Sequence, residues 1–319
     1  MHMHPKVSVI IPNYNHAPYL RQRIDSVLNQ TMGDFEVILL DDCSADNSRE
    51  IIESYRNHPK VSHVVFNADN SGSTFVQWKR GLGLAVGDYV WIAESDDYAD
   101  PDFLATLVPL LDSNPTAAMA FCGSHIIDKD GNDIPGADWD KWPRHATGAE
   151  IYTPHTLTAK KLLRNNLIYN ASMVVFRRAM APKIGEEQLK MRFCGDWLFW
   201  VEMARNGGAV EVRRKLNYFR QHTAKVSATA SKKGLTYTEG LPIVCRMADF
   251  LQLTDYQRKA VAGRLFKRLK RFPGIIEEHP QIKSHLEKLS PGATSKPWKS
   301  ILFYEFDKIF NISHLPSQQ

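Results

Sequence analysis

The chain has 319 residues, 43% hydrophobic and 24% charged, with 40 Lys and Arg against 35 Asp and Glu for a formal net charge of +5. That length and apolar content suit one large domain or two modest ones. The charge is too small and scattered to argue for nucleic acid, and no apolar run approaches the ~20 residues of a bilayer span. The opening MHMHPK leads into a predicted strand with no visible signal peptide. Cys43, Cys122, Cys194 and Cys245 lie far apart, without zinc-like spacing. They read as reduced thiols, which implies a cytoplasmic protein.

In chain order, residues 7–11 (VSVII) form a mostly β-branched run ending in Pro12, the pattern of a strand buried on both faces of a parallel sheet. Leu20, Ile24, Val27 and Leu28 recur at helical spacing before a second apolar strand over 37–40. Asp46-Asn47-Ser48 starts another helix, residues 64–66 make a third strand, and a helix over 74–86 feeds a fourth at 89–93. Alternating strands and helices imply a mostly parallel α/β sheet, whose ligands bind at the carboxyl ends of the strands. Those ends carry Pro12-Asn13-Tyr14-Asn15, Asp41-Asp42 and Glu94-Ser95-Asp96-Asp97.

The second half changes character. Residues 117–121 and 124–128 suggest a strand pair, 172–176 another strand, and 197–205 an amphipathic helix ending at Gly207-Gly208. From about 232 onward the chain reads as helices only, so a domain boundary is placed there.

The stretch YVWIAESDD at 89–97 carries the most information. Carboxylates crowded at a strand end repel one another, and a divalent cation such as Mg²⁺ or Mn²⁺ supplies a reason to gather them. An acidic loop before a helix starting at Asp100-Pro101-Asp102 is the plainer reading. Asp41 and Asp42 suit hydrogen bonds from a base or ribose, or a capping turn, and Tyr14 suits stacking on that base. No P-loop is present, and Gly81, Gly83 and Gly87 lie between a helix and a strand, the reverse of a dinucleotide site.

The segments SVIIPNYN, LLDDCSADNS, AVGDYVWIAESDD and GDWLFWVEMARNGG, in register over about 6–228, together resemble family 2 glycosyltransferases of the GT-A fold. The resemblance implies a Rossmann-like, mostly parallel sheet flanked by helices, with a C-terminal helical extension. It implies a nucleotide-sugar donor, usually UDP-linked, a divalent metal (Mn or Mg), and inversion by direct displacement. Pro12, Tyr14 and Asn15 then match the first nucleotide-contacting loop, and Asp42, with Asp41 beside it, the uracil-side carboxylate. Asp96 or Asp97 matches the ligand of metal and diphosphate, although Glu94 stands where Asp is commoner. Lys79 stands where the family often has Asn; with Arg80 it could hold donor phosphates, or form a solvated helix face.

Asp196 matches the catalytic base, a carboxylate taking the acceptor hydroxyl's proton; an acidic residue at a helix start is also favoured by the macrodipole. Tyr218-x-Arg220-x-His222 resembles a strand-end element of the family, which makes His222 a candidate metal or diphosphate ligand or an exposed loop histidine. The implied division is 1–232 catalytic, with a nucleotide-sugar half to about 100 and an acceptor half over 101–232, then a helical region over 233–319. The acceptor would be a glycan or lipid-linked glycan, read by the region from about 130 to 170.

Thr254 and Gln257 form a capping-box pattern on a helix whose Val261, Leu265, Leu269 and Phe272 share one stripe beside Arg264, Lys267, Arg268 and Arg271. A second amphipathic segment covers 298–312. Basic amphipathic helices can touch the inner face of a membrane peripherally, but packing of these stripes on the catalytic domain is the favoured expectation. A silent sugar-nucleotide-binding scaffold and a sugar nucleotidyltransferase are the alternatives. The second should carry a glycine-rich basic loop after the first strand, where this chain has PNYN.

Overall fold

The computed structural model describes residues 4–140, 142, 147–221 and 234–310. Two compact units divide the chain: 1–154, 167–190 and 202–223 form the first, and 155–166, 191–201 and 224–319 the second.

The first unit is built on a mixed sheet with β1 (Val7–Asn13), β2 (Phe35–Asp41), β3 (Val61–Phe66), β4 (Tyr89–Ile92), β5 (Tyr98–Ala99), β6 (Ala117–Ile127), β7 (Ala149–Tyr152), β8 (Val174–Arg177) and β9 (Gly208–Arg220). The order is β3-β2-β1-β4-β8-β6-β9-β5, with β7 also on β9. β3, β2, β1 and β4 are mutually parallel, and β8 runs antiparallel to both its neighbours. Every residue of β1 and β2 is buried, which explains why these strands read as mostly apolar runs; the two polar interruptions, Ser8 and Glu36, satisfy each other, Ser8 Oγ donating to Glu36 Oε1.

Pro12 is tolerated near the centre of this sheet for a local reason. The Ile10 carbonyl points to the β4 side, accepting from Ala93 N, and alternation turns Pro12 the same way. The pairing with β4 ends at Ile10, so the N–H that proline lacks has no ladder partner to lose.

Helices α1 (Ala17–Leu28), α2 (Ser48–Ser54), α3 (Thr74–Leu84) and α4 (Phe103–Ser113) follow β1, β2, β3 and β5. Asp46 ties two helix starts together, accepting from Ala17 N and Ser48 N. Helix α3 comes close to β1: a Cβ on Gly81 would stand 2.4 Å from Ile10 Cγ2. The strand pair expected over 117–128 is instead the single strand β6. Its pairing with β9 shifts register at Phe121/Gly123 and Gly123/Ser124, so a bulge absorbs the small residue without a reversal.

Short helices α5 (Pro154–Leu157) and α6 (Glu186–Lys190) precede α7 (Gly195–Asn206). In the second unit lie α8 (Leu235–Thr238), α9 (Gly240–Phe250), α10 (Asp255–Leu269), α11 (Ile275–Glu278), α12 (Pro280–Leu289) and α13 (Pro297–Phe310). The capping box is present: Thr254 Oγ1 accepts from Gln257 N, and Gln257 Oε1 from Thr254 N. Among the described residues no helix is long and apolar enough to cross a membrane.

Candidate active site

Three loops at the carboxyl ends of β1, β2 and β4 bring the polar clusters together. At the end of β2, Asp41 is fully enclosed and accepts from Asn13 Nδ2 (2.8 Å), Ser44 Oγ (2.5 Å) and Ser44 N (3.0 Å). Its oxygens hold the loop. Asp42, 4% exposed, accepts from Asn67 Nδ2, Ser71 N, Ser71 Oγ and Gln77 Nε2 at 2.6–2.9 Å. Those four donors fix its orientation.

Asn15 sits at φ 55°, a left-handed conformation that asparagine tolerates. Its Oδ1 accepts from Ala45 N and its own N–H donates to Ser44 Oγ, joining the β1 and β2 loops. Between them Tyr14 is 47% exposed and Pro12 is buried. Tyr14 is thus the one of the three with a ring face open to a base. Lys79 and Arg80 are both exposed, and Arg80 donates to Asn67 Oδ1.

The acidic turn after β4 is the most heavily braced. Asp97 N donates to Glu94 O, Arg23 Nε to Glu94 O, and Arg220 Nε to Asp96 O. Asp97 is fully buried, and both its oxygens are taken: Oδ2 by Asn170 Nδ2 and Ser172 Oγ at 2.8 Å each, Oδ1 by Arg220 N at 2.9 Å. Arg23 Nη2 lies 3.9 Å from Asp97 Oδ2. Asp97, expected with Asp96 as a candidate metal ligand, therefore spends its lone pairs on protein donors, while Asp96 is partly exposed. Glu94, also partly exposed, accepts from Trp78 Nε1 at 2.9 Å.

The charges in this turn strain against one another. Burial, then the nearby Asp96 carboxylate, pushes Glu94 up to about 8 and Asp97 up to about 7. Burial also lowers Arg23 to about 10. Arg23 is fully enclosed on the apolar side of α1, its guanidinium 5.5 Å from the Trp91 ring. Its Nη1 and Nη2 have no hydrogen-bond partner, so it acts on Asp97 through charge while its Nε braces the Glu94 carbonyl. Among the described residues no group of three His, Cys, Asp or Glu side chains is placed to hold a metal ion; the partly exposed carboxylates of the turn are Asp96 and Glu94, hard oxygen donors of the type Mg²⁺ or Mn²⁺ takes.

Arg220, 3% exposed, crosses to Gln22 Oε1 and to the Asp128 and Lys129 carbonyls, and lies 4.5 Å from the Tyr19 ring. Tyr218 stacks on Tyr98 and His125. His222 lies outside the described residues.

Asp196 belongs to the second unit, in the first turn of α7. It is partly exposed, and its Oδ2 accepts from Asn166 Nδ2 at 3.1 Å. Glu239 caps the segment before it, accepting from Arg192 N, Phe193 N and Cys194 N at 2.8–2.9 Å. Burial, with a contribution from the Glu239 charge, pushes Asp196 up to about 7. A carboxylate so tuned is a competent general base near neutral pH.

Sequence reasoning missed Arg23, Asn170, Ser172 and the Asn67–Ser71–Gln77 set. Arg23 had a visible signal, a cation on the apolar stripe of Leu20, Ile24 and Val27. The others act through hydrogen bonds between residues distant in sequence.

A parallel half-sheet with acidic turns at its strand ends, continued by an antiparallel β8, defines a glycosyltransferase of the GT-A class. The chain belongs to glycosyl transferase family 2, whose model matches residues 8–185, and it is therefore an enzyme of that kind. It is 29% identical over 204 residues to TuaG of Bacillus subtilis, named as a teichuronic acid biosynthesis glycosyltransferase, covering 64% of this chain and 73% of that one. It is 31% identical over 157 residues to the chondroitin synthase of Pasteurella multocida, covering 49% of this chain but only 16% of that synthase. Among solved structures, S. aureus TarS 1-349 in complex with UDP-GlcNAc superposes with a TM-score of 0.63 at 20% identity, over 96% of this chain and 92% of that one. At that identity the likeness is one of fold.

Proposed function

We propose that this glycosyltransferase is inverting and metal-dependent, moving a sugar from a UDP-sugar to an acceptor hydroxyl in surface-polysaccharide or glycoconjugate assembly. The observation that carries the reading is the turn after β4. There Asp97 is locked by Asn170, Ser172 and Arg220, so that Asp96 is presented at a fixed, partly exposed position. The relatives named for teichuronic acid biosynthesis and chondroitin synthesis support a polysaccharide product, and the fold shared with a UDP-GlcNAc complex supports the donor class.

In this reading Tyr14 stacks on the base and Asp42 accepts from the uracil or ribose. Asp96 holds the metal, Asp97 positions Asp96, and Arg80 or Lys79 meets donor phosphate. When bound, the ion offsets charge building on the departing diphosphate. Asp196 takes the acceptor proton as the hydroxyl attacks the anomeric carbon, and the bond to the diphosphate breaks on the opposite side. The acceptor is a glycan or lipid-linked glycan, and the reaction faces the cytoplasm. The catalytic part is 1–232 and the helical extension 233–319; the compact units cut the chain differently, giving 155–166 and 191–201 to the helical unit.

The test is UDP release from a panel of UDP-sugars with and without Mn²⁺ or Mg²⁺. Metal-dependent UDP release is expected. Pyrophosphate release from a sugar phosphate plus UTP, or turnover unaffected by chelation, would overturn the reading.

A further inference from the structure

Helix α13 of the second unit presents an apolar stripe outward. At 3.6 residues per turn Trp298, Leu302, Phe306 and Ile309 fall within an arc of about 80°, and they are 59%, 49%, 47% and 73% exposed. Ser300 and Asp307, by contrast, are enclosed. The enclosed side lies on α10, where a Cβ on Gly263 would stand 2.8 Å from Tyr304 Cβ and closer still to the Ser300 carbonyl. Four large apolar side chains thus face outward although Phe303 and Tyr304 on the inner flank are half-buried, and a contiguous apolar patch on a folded surface marks a contact. Exposed Tyr256, stacked near Phe303, extends the patch from α10.

Beside the stripe is a recess of about 350 Å³ whose lining includes Arg258, Lys259, Lys296 and Lys299, with Asp255 the one acidic residue. Arg258 is paired with Asp249. Lys296 and Lys299 have no carboxylate partner among the described residues, and Lys299 lies over the Trp298 ring at 5.6 Å.

We propose that this face is a docking surface for an anionic lipid bilayer, with Trp298, Leu302 and Ile309 entering the acyl boundary and a phosphate headgroup seated in the basic recess. Charge complementarity selects this occupant, because the acid bordering the stripe, Glu305, is already paired with Lys267 and Lys308 while Lys296 and Lys299 are left for an anion. Large apolar residues beside lysines are the composition of an interfacial helix, and Trp and Tyr favour the headgroup level. A second copy fits poorly. It would bring two basic recesses together, and four exposed side chains of one helix are few beside the ~800 Å² per partner of a stable dimer. The α10 stripe is not the contact face, since Val261 and Leu269 are buried. The inference is independent of the donor and metal assignments.

The experiment is flotation of the full chain with vesicles of phosphatidylcholine alone or mixed with phosphatidylglycerol, at low and high salt. Association with the anionic vesicles only, weakened by salt, is expected. Lys296→Gln with Lys299→Gln should lower partitioning roughly fivefold per cation. Trp298→Ser with Leu302→Ser should lower it at least about tenfold through lost apolar burial, with the melting transition and UDP release unchanged. If that pair fails to fold, Leu302→Gln alone decides. No association at low salt, or undiminished association of a folded apolar variant, overturns the proposal. So does a concentration-dependent dimer that the apolar variant dissolves, which would give the face to a second copy. Absent UDP release in the wild type would sink the functional reading and leave this one standing.

Discussion

Replacing Asp196 with asparagine isolates proton transfer from everything else the protein does. Asp196 lies in the first turn of α7 and is touched by Asn166 Nδ2 at 3.1 Å. The asparagine amide keeps an oxygen for that contact and is acceptable at a helix start, so the fold and UDP affinity should survive. The amide cannot take a proton, and turnover should fall roughly 10²–10⁴-fold, about 3–5 kcal/mol of barrier. The wild-type pH profile carries a second signature. Burial holds the carboxyl up at about 7, and a base works only when ionised. The rate should therefore rise with pH through about 7 and fall about tenfold per unit well below it. Asn166→Ala removes a donor that favours the charged form, so it should move this acidic limb toward higher pH. The assay is sugar transfer to acceptor across pH 5–9, beside a UDP-binding isotherm for each variant. Near wild-type turnover in Asp196→Asn, or a limb near pH 7 that persists in it, would refute Asp196 as the base.

Asp96→Asn should weaken UDP binding in the presence of metal and leave the metal-free affinity nearly unchanged, since a carboxylate ligand is lost without a change of size; titration calorimetry with and without chelator checks this. Asp97→Asn should behave differently: it sets an NH₂ group against the donors from Asn170, Ser172 or Arg220 and leaves the enclosed Arg23 without its counter-charge. A loss of about 3–5 kcal/mol in unfolding free energy is expected, read by denaturant titration, and a near-neutral result would mean the network is looser than its geometry. Gly81→Ala should cost about 1–3 kcal/mol by overpacking Ile10, read in the same titration, and Ile10→Val should give little rescue because it keeps the Cγ2 that stands 2.4 Å away.

Legibility followed the range of the interaction. β1, β2 and β4 were readable because burial on both faces leaves a one-dimensional trace, a run of mostly apolar residues. The Thr254–Gln257 cap was readable because its partners lie three residues apart. The bulged strand β6 was not, since a Cys-Gly pair between two apolar runs looks like a turn, and only pairing with β9, about ninety residues later, keeps it extended.

The site divides in the same way. The residue types at the strand ends announced acidic chemistry, but which carboxylate faces outward was decided by residues the sequence places far away: Ser172 lies 75 positions from Asp97, and Arg220 lies 123. Two adjacent aspartates thus take opposite duties, Asp97 locked inside and Asp96 partly exposed. The same split separates Asp41, enclosed with Asn13 and Ser44, from Asp42, aimed by Asn67, Ser71 and Gln77. In each pair the neighbouring donors, not the acids themselves, determine how the two carboxylates differ.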